Sequence, residues 1–319
     1  MFEKIKKRIL VSVSLGALLY LVLIIYFDFE KVINSFSNFN WVFLPLLLTL
    51  SFGNYFTRFL KWQFYLKLID VKIQFYDSLA IFMSGLIMSI TPGKFGELLK
   101  SYLVKQVNGI PISKTAPIIF AERATDFLSL TILALIGAYY FNYGKGIIII
   151  ISLILIVLIF LISNKKISDK LLFTLSKFRR IHKHIEKIEN AYDSSFKLLN
   201  YKPLILMTLL SVLSWGFECL GFYFILTNFS DGIKLIWSFF SYSFSTIVGA
   251  VSMLPGGIGV TEGSLTLMLI NQGLSNNDAI AATFIVRVVT LWFAVLVGII
   301  SVFVYQKRFG DITIETSKE

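Results

Sequence analysis

SITPGKFGELLKSYL, residues 89–103, places a Thr-Pro-Gly break, a Lys and a Glu at the end of the apolar run LAIFMSGLIMSI. Pro92 removes a backbone donor and disfavours helix at Thr91, while Gly93 and Gly96 permit turns and close backbone approach. The apolar helix is therefore expected to stop at this point. SMLPGGIGVTEGSL, residues 252–265, repeats the order Pro, Gly, Gly, Glu. Arg123 follows Pro92 by 31 residues and Arg287 follows Pro255 by 32, each inside the next apolar run. Break, acid and arginine thus occur twice in one chain.

The surrounding composition places these breaks in a membrane. Of the 319 residues 56% are hydrophobic, 16% aromatic and only 15% charged, and the mean hydropathy is +0.76. Such values lie outside the range of soluble domains. Apolar runs at 9–27, 41–60, 116–140, 147–162, 203–226 and 279–305 match the ~20 residues that a helix needs to cross ~30 Å of hydrocarbon. The first run follows MFEKIKKR but precedes no small-x-small cleavage site, so it reads as a retained anchor. Cys219 is the single cysteine and lies in an apolar run, which excludes an internal disulfide and a thiolate cluster.

Basic residues resist translocation, which orients the runs. With the N-terminus inside, 28–40 is an outer loop, and Arg58, Lys61, Lys67 and Lys72 are inner boundary charges. Lys94, Lys100, Lys105 and Lys114 are inner too, so 75–115 must enter and return from the inside. Because Lys307 and Arg308 end the last run inside, 234–277 must begin and end outside. Only Lys31, Lys145 and Lys234 are then external, and Arg123 and Arg287 lie within spans. The expected fold is an all-α polytopic integral membrane protein, with six full spans and two opposed re-entrant hairpins forming an inverted repeat. Both termini are expected in the cytoplasm and the protein in the cell membrane. The expected units are a first membrane half at 1–162, a connector at 163–202, a second half at 203–308 and a tail at 309–319.

Non-helical backbone at membrane depth is tolerated where protein or water satisfies it, and each returning half-helix aims free N–H groups at the tip. Lys94 adds charge beside the first tip, and Thr261 is read as the N-cap of the second half-helix. Arg123 lies about 10 Å and Arg287 about 12 Å into their helices at 1.5 Å per residue, within reach of Glu97 and Glu262 respectively. Charges at such depth are either functional or structural ion-pair locks. In FAERATDFL, Glu122, Arg123 and Asp126 share neighbouring helix positions, and Glu218 in SWGFECLGF is a further acid in a span, with no obvious partner.

Within 163–202, apolar residues recur three or four apart from Leu171 to Leu199 with Lys and Arg between them. This pattern describes a basic amphipathic helix, suited to the anionic inner leaflet or to docking a cytosolic partner. His182 and His184 fall on its polar face, too few for a metal site. Topology accounts for the net charge of +11, and no nucleic-acid partner is expected.

The motifs TPGKFGELLKSYLV, ERATDFLSL and LPGGIGVTEGSL, with a late membrane arginine, resemble the flippase-like membrane domain of lysylphosphatidylglycerol synthases over residues 10–305. That resemblance implies movement of a polar-headed lipid between leaflets. It marks Gly93, Gly96, Glu97, Glu122, Arg123, Asp126, Pro255, Gly256, Gly257, Gly259, Glu262 and Arg287 as matching positions. The chain ends eleven residues after Arg308, so the aminoacyl-transferase domain is expected to be absent and a separately encoded lipid-modifying enzyme becomes a candidate partner. No catalytic residue, cofactor or metal is expected, and no Walker loop follows either Pro-Gly pair. Lys94 and Glu218 complete the expected substrate-binding set, with membrane lipids as partners. An ion-coupled small-solute carrier and an intramembrane lipid-modifying enzyme are the alternatives.

Overall fold

The computed structural model describes residues 29–91, 96–141, 144–146, 148–150, 152–154, 157 and 185–312. The expected first span at 9–27, Gly93, Lys94, most of the expected span at 147–162, all of 163–184 with His182 and His184, and the end of the tail lie outside these residues. Among the described residues all regular structure is helical. In chain order the helices are α1 (Phe29–Asn38), α2 (Leu44–Leu68), α3 (Phe75–Gly85), α4 (Leu99–Asn108), α5 (Ile112–Phe141), α6 (Ile185–Leu198), α7 (Tyr201–Leu226), α8 (Leu235–Val251), α9 (Val260–Asn271), α10 (Asn276–Arg287) and α11 (Phe293–Phe309). A π turn at Val288–Trp292 joins α10 to α11 without a break.

Three helices are long and apolar enough to cross a bilayer: Ile112–Phe141, Tyr201–Leu226 and the joined Asn276–Phe309. A fourth span results if Val32–Asn38 and Trp41–Leu68, bent by 65°, are taken together. α3, continued by a 3-10 stretch over Leu86–Ile90, and α8 are shorter apolar segments that run up to the two sequence breaks.

α1 corrects the expected loop at 28–40. Val32, Ser35 and Phe39 recur at helical spacing and are buried, so a chain that looks like a connector gains a face to pack. Ser35 Oγ donates to Asp278 Oδ1 at 2.8 Å, and the Phe36 ring meets Phe284 edge-on at 5.2 Å, fixing α1 against α10. A second correction is the length of α2, which continues past the expected end at residue 60 to Leu68. Its basic residues Arg58 and Lys61 find carboxylates inside the protein and need not end the helix at a water boundary. α2 packs on α7 through small polar groups: Asn54 Nδ2 donates to Ser214 O at 2.8 Å, and Ser214 Oγ to Thr57 Oγ1 at 2.7 Å. Close packing around small and hydroxyl side chains is what helices use to associate in lipid.

The two breaks define two helical hairpins, α3–α4 and α8–α9. Around the first, Asn108 Nδ2 donates to Lys72 O, and Arg308 pairs with Asp77 at 2.6 Å. Both ends of that hairpin thus lie beside the α2–α3 turn and the end of α11. Around the second, Lys234 Nζ donates to Tyr140 OH at 3.3 Å, and α9 packs against α10 near the α1 contact. The apolar core is divided accordingly. One cluster joins the end of α5 to α7, α8, α9 and α10, and another joins the lower part of α2 to α3, α4, the start of α5 and α11. Between them the hairpin tips meet: Ile90, Leu291 and Val295 form a small cluster with Ile258.

Glycine permits that meeting. Gly256 has φ +60°, and a Cβ there would stand 3.5 Å from Ile90 Cα and 3.2 Å from Leu291 Cδ2. At Gly298 of α11 a Cβ would overlap the backbone nitrogen of Ile87, so the helix and the first tip touch backbone to backbone.

Of the expected connector, the described part is α6, which packs against α5 and ends with Leu198 and Leu199 buried in the second cluster. These two leucines face protein, not the lipid interface expected of the whole apolar face.

Candidate functional site

The first hairpin delivers Glu97 to a set of charges built on α2, α4 and α5. Arg123 Nη2 lies 3.2 Å from Glu97 Oε2 and 3.0 Å from Asp126 Oδ2, the second contact being an i,i+3 pair along α5. The expected Glu97 and Arg123 pair is thus present, but it is one part of a larger assembly. Lys61 Nζ donates to Asp126 Oδ1 at 2.6 Å, Ser211 Oγ at 2.7 Å and Thr125 Oγ1 at 3.2 Å, which occupies its three protons. Lys100 Nζ donates to Glu122 Oε2 at 2.5 Å, lies 3.7 Å from Glu97 Oε2, and sits 4.9 Å from the Trp62 ring centroid. Arg58 is held more loosely, with Nη2 3.7 Å from Glu97 Oε1 and 3.9 Å from Asp126 Oδ2.

Sequence reasoning missed Arg58, Lys61 and Lys100, which it treated as inner boundary charges. All three are buried, Lys61 to 1% and Lys100 to 2% exposure. The available signal was a polar stripe: Asn54, Arg58 and Lys61 share one face of α2 at i, i+4 and i+7, and Lys100 stands at i+3 from Glu97. Among the described residues this cluster holds four cations, Arg58, Lys61, Lys100 and Arg123, and three carboxylates, Glu97, Glu122 and Asp126.

The second tip is compact. Arg287 Nε donates to Glu262 Oε1 at 2.7 Å, and its Nη2 donates to Gly256 O at 2.6 Å. Glu262 Oε2 accepts from Gly259 N at 2.7 Å, closing the first turn of α9. Gly259, with φ +89°, is therefore the N-cap, which corrects the expectation for Thr261. The glutamate three residues on satisfies the cap's own N–H, as in a capping box. Thr261 is buried, its hydroxyl against Gly249 and Gly257, where any Cβ would collide with it. Glu218 also gains a partner that its sequence context does not reveal: Tyr242 OH donates to its Oε2 at 2.6 Å.

A cavity of about 290 Å³ lies beside the two hairpin tips, lined from α2, α5, α7, α8 and α10. Its charged lining is Arg58, Arg123, Arg287, Asp126 and Glu218, joined by Tyr55, Tyr242 and Thr290. Gly256 and Gly257 line it at the second tip, and Ser89 and Thr91 line it at the first. Phe120, Met253 and Leu254 also line it and are 45–59% exposed. Polar depth and an apolar rim therefore belong to one space. Glu97 and Glu262 stand behind Arg123 and Arg287 as their counter-ions, and Glu122 pairs with Lys100 away from the lining. Pro255 and Gly259 shape the second tip, and at the first Gly96 N donates to Thr91 Oγ1 at 3.0 Å.

A membrane protein of paired helical hairpins around a charged cavity is the class these observations define. The family model for the lysylphosphatidylglycerol synthase TM region matches residues 9–298, and the chain belongs to that family. Relatives include a UPF0104 membrane protein of Methanocaldococcus jannaschii, 27% identical over 70% of this chain and 95% of the relative. Others come from Pyrococcus horikoshii, 23% identical over 92% of this chain and 95% of the relative, and from Methanothermobacter thermautotrophicus, 22% identical over 94% and 95%.

Proposed function

We propose that this protein moves a polar-headed anionic lipid, a phospholipid or polyprenyl-phosphate-linked lipid, between leaflets of the cell membrane without ATP. The observation that carries this reading is the cavity with Arg58, Arg123 and Arg287 on its lining and exposed Phe120, Met253 and Leu254 on the same lining. A head group has charge partners inside, while its chains have an apolar exit to the bilayer. Arg287 spends two donors on its own tip, whereas the ion pairs of Arg58 are longer, at 3.7 and 3.9 Å. Arg58 and Arg123 are therefore the phosphate ligands, and Arg287 positions the tip. The guanidiniums of Arg58 and Arg123 on the lining favour an anionic head group, since charge-assisted hydrogen bonds to phosphate are strong.

In this reading the hairpins are re-entrant from opposite faces within six spans, with both termini cytoplasmic. The end contacts of the two hairpins support that topology, as do exposed Lys67, Lys72 and Lys105 at one end and Lys234 at the other. The inner leaflet would contact the basic connector at 163–202, and chemistry on the lipid would belong to a separate enzyme. The test is reconstitution of purified protein with labelled phospholipids and polyprenyl phosphates. Native protein should equilibrate at least one of them across the leaflets, and well-inserted Arg58→Gln or Arg123→Gln should not. Uptake of a small solute with no lipid movement would replace this reading with the carrier.

A further inference from the structure

A phosphate at Arg58 and Arg123 has competitors inside the protein. Arg123 Nη2 stands 3.2 Å from Glu97 and 3.0 Å from Asp126, and Arg58 Nη2 stands 3.7 and 3.9 Å from the same two carboxylates. An arriving anion must take these donors over, and a buried carboxylate that loses its cation is costly. Asp126 is secured against that loss by Lys61, which donates to Oδ1 at 2.6 Å while Oδ2 faces the arginines. Glu97 has Lys100 three residues further along the same segment, with Nζ 3.7 Å from Oε2. Shortening that ion pair by about 1 Å turns it into a charge-assisted hydrogen bond. Lys100 itself is held in place. Its Nζ donates to Glu122 Oε2 at 2.5 Å and lies 4.9 Å from the Trp62 ring centroid and 5.0 Å from that of Phe82. Its stem runs along Gly85, where a Cβ would stand 2.6 Å from Lys100 Cγ. At 2% exposure it takes no part in the cavity lining. An ammonium has three protons, so Lys100 can keep Glu122 and serve Glu97 as well.

We infer that Lys100 is a positioning residue for transport: it receives Glu97 when the lipid phosphate takes over Arg58 and Arg123, so that the exchange strands no carboxylate. The inference rests on the proposed lipid reading, with phosphate at those two arginines. Glu97 turns a short way along its own segment, Lys100 keeps Glu122, and both guanidiniums pass to the head group. Lys100 thus acts on the phosphate only through Glu97.

The probes are labelled phosphatidylglycerol and a labelled polyprenyl monophosphate in proteoliposomes, with the rate of movement read against mole fraction. Lys100→Gln/Glu122→Gln replaces the buried pair by two neutral side chains that can still hydrogen-bond to each other, and takes the cation from Glu97 without altering the cavity lining. Its half-saturating mole fraction should rise about tenfold, the scale of one buried charge left without its hydrogen bond. Adding Glu97→Gln removes the stranded carboxylate and should return half-saturation to within about threefold of native. A packing role for Lys100 would lower the unfolding midpoint and leave half-saturation unmoved, and that result overturns the inference, as does a triple variant no better than the double. If the double variant inserts poorly, Glu97→Gln alone decides. With every cation in place and the competitor gone, short-chain phosphatidylglycerol should bind the solubilised variant more tightly than native protein, read by thermal shift. Equal or weaker binding overturns the exchange and leaves lipid movement standing. Movement of neither probe by native protein, with inorganic phosphate shifting the midpoint as far as the short-chain lipid or with no shift from either, removes the lipid reading itself.

Discussion

The two hairpin tips use the same residue types and solve different problems with them. At the second, Arg287, Glu262, Gly259 and the Gly256 carbonyl close on one another through three hydrogen bonds of 2.6–2.7 Å. At the first, Glu97 faces three cations, Arg123, Arg58 and Lys100, at 3.2–3.7 Å. The second tip is a lock with each donor aimed at one acceptor. The first is a shared arrangement whose longer ion pairs leave guanidiniums able to turn toward the cavity. Duplication of a motif therefore need not duplicate its task, because neighbouring helices decide what the arginine has left to offer.

An all-or-none experiment addresses the topological side of this comparison. Single cysteines at Asn108 and Asn276 should be labelled from opposite sides of the membrane, the first from the cytoplasm. Labelling of both from one side would end the idea that the tips are opposed copies. Next in size is the loss of Asp126, whose carboxylate serves Lys61, Arg123 and Arg58. Asp126→Asn should cost about 3–5 kcal/mol of stability, the range for stranding a buried charge, read as a lower unfolding midpoint in detergent. Glu262→Gln, which leaves Arg287 its bond to Gly256 O, should cost less. The reverse order would show the second tip to be the more heavily networked.

Arg287→Lys tests the lock directly. An ammonium is a point charge without a planar fork and cannot reproduce the geometry to Glu262 and Gly256 together. A loss of about 1–3 kcal/mol is expected, the scale of one buried hydrogen bond left unmade, with the fold retained. Arg123→Lys should be milder for stability, since its contacts are ion pairs without fixed directions. The smallest effects separate the glycines. Gly259→Ala places a side chain at φ +89° and should cost about 1 kcal/mol or somewhat more through backbone strain. Gly96→Ala would instead crowd the Thr91 side chain, so Thr91→Ala should restore part of its stability.

The pairings of Glu97 with Arg123 and Glu262 with Arg287 were legible in the sequence because each arginine stands at nearly the same distance from its Pro-Gly break. The helix breaks were legible for the same reason, since proline and glycine act locally. Arg58, Lys61 and Lys100 were not, because hydropathy treats a lysine at the end of an apolar run alike whether it faces water or a carboxylate from a helix 65 residues away, as Lys61 faces Asp126. Tyr242 as the partner of Glu218 was hidden too: the two lie 24 residues apart on separate helices. Helix α1 was missed because its burial depends on α10, which arrives 243 residues later at the Ser35 contact. Local chemistry gave the motif, and long-range packing decided its company.

The backbone contact between Gly298 and Ile87 bears on how such a molecule can hinge. α11 follows the second hairpin in the chain, yet it packs on α3 and touches the first tip with no side chain between them. Interdigitated backbones of this kind slide or separate reluctantly, so α11 and the first hairpin should travel as one body. The seam of any rocking motion then runs not through the midpoint of the sequence but across the cavity, between Phe120 on α5 and Met253 beyond α8. Spin labels at exposed Tyr76 of α3 and Phe303 of α11 should keep a fixed separation while the Phe120 to Met253 distance changes.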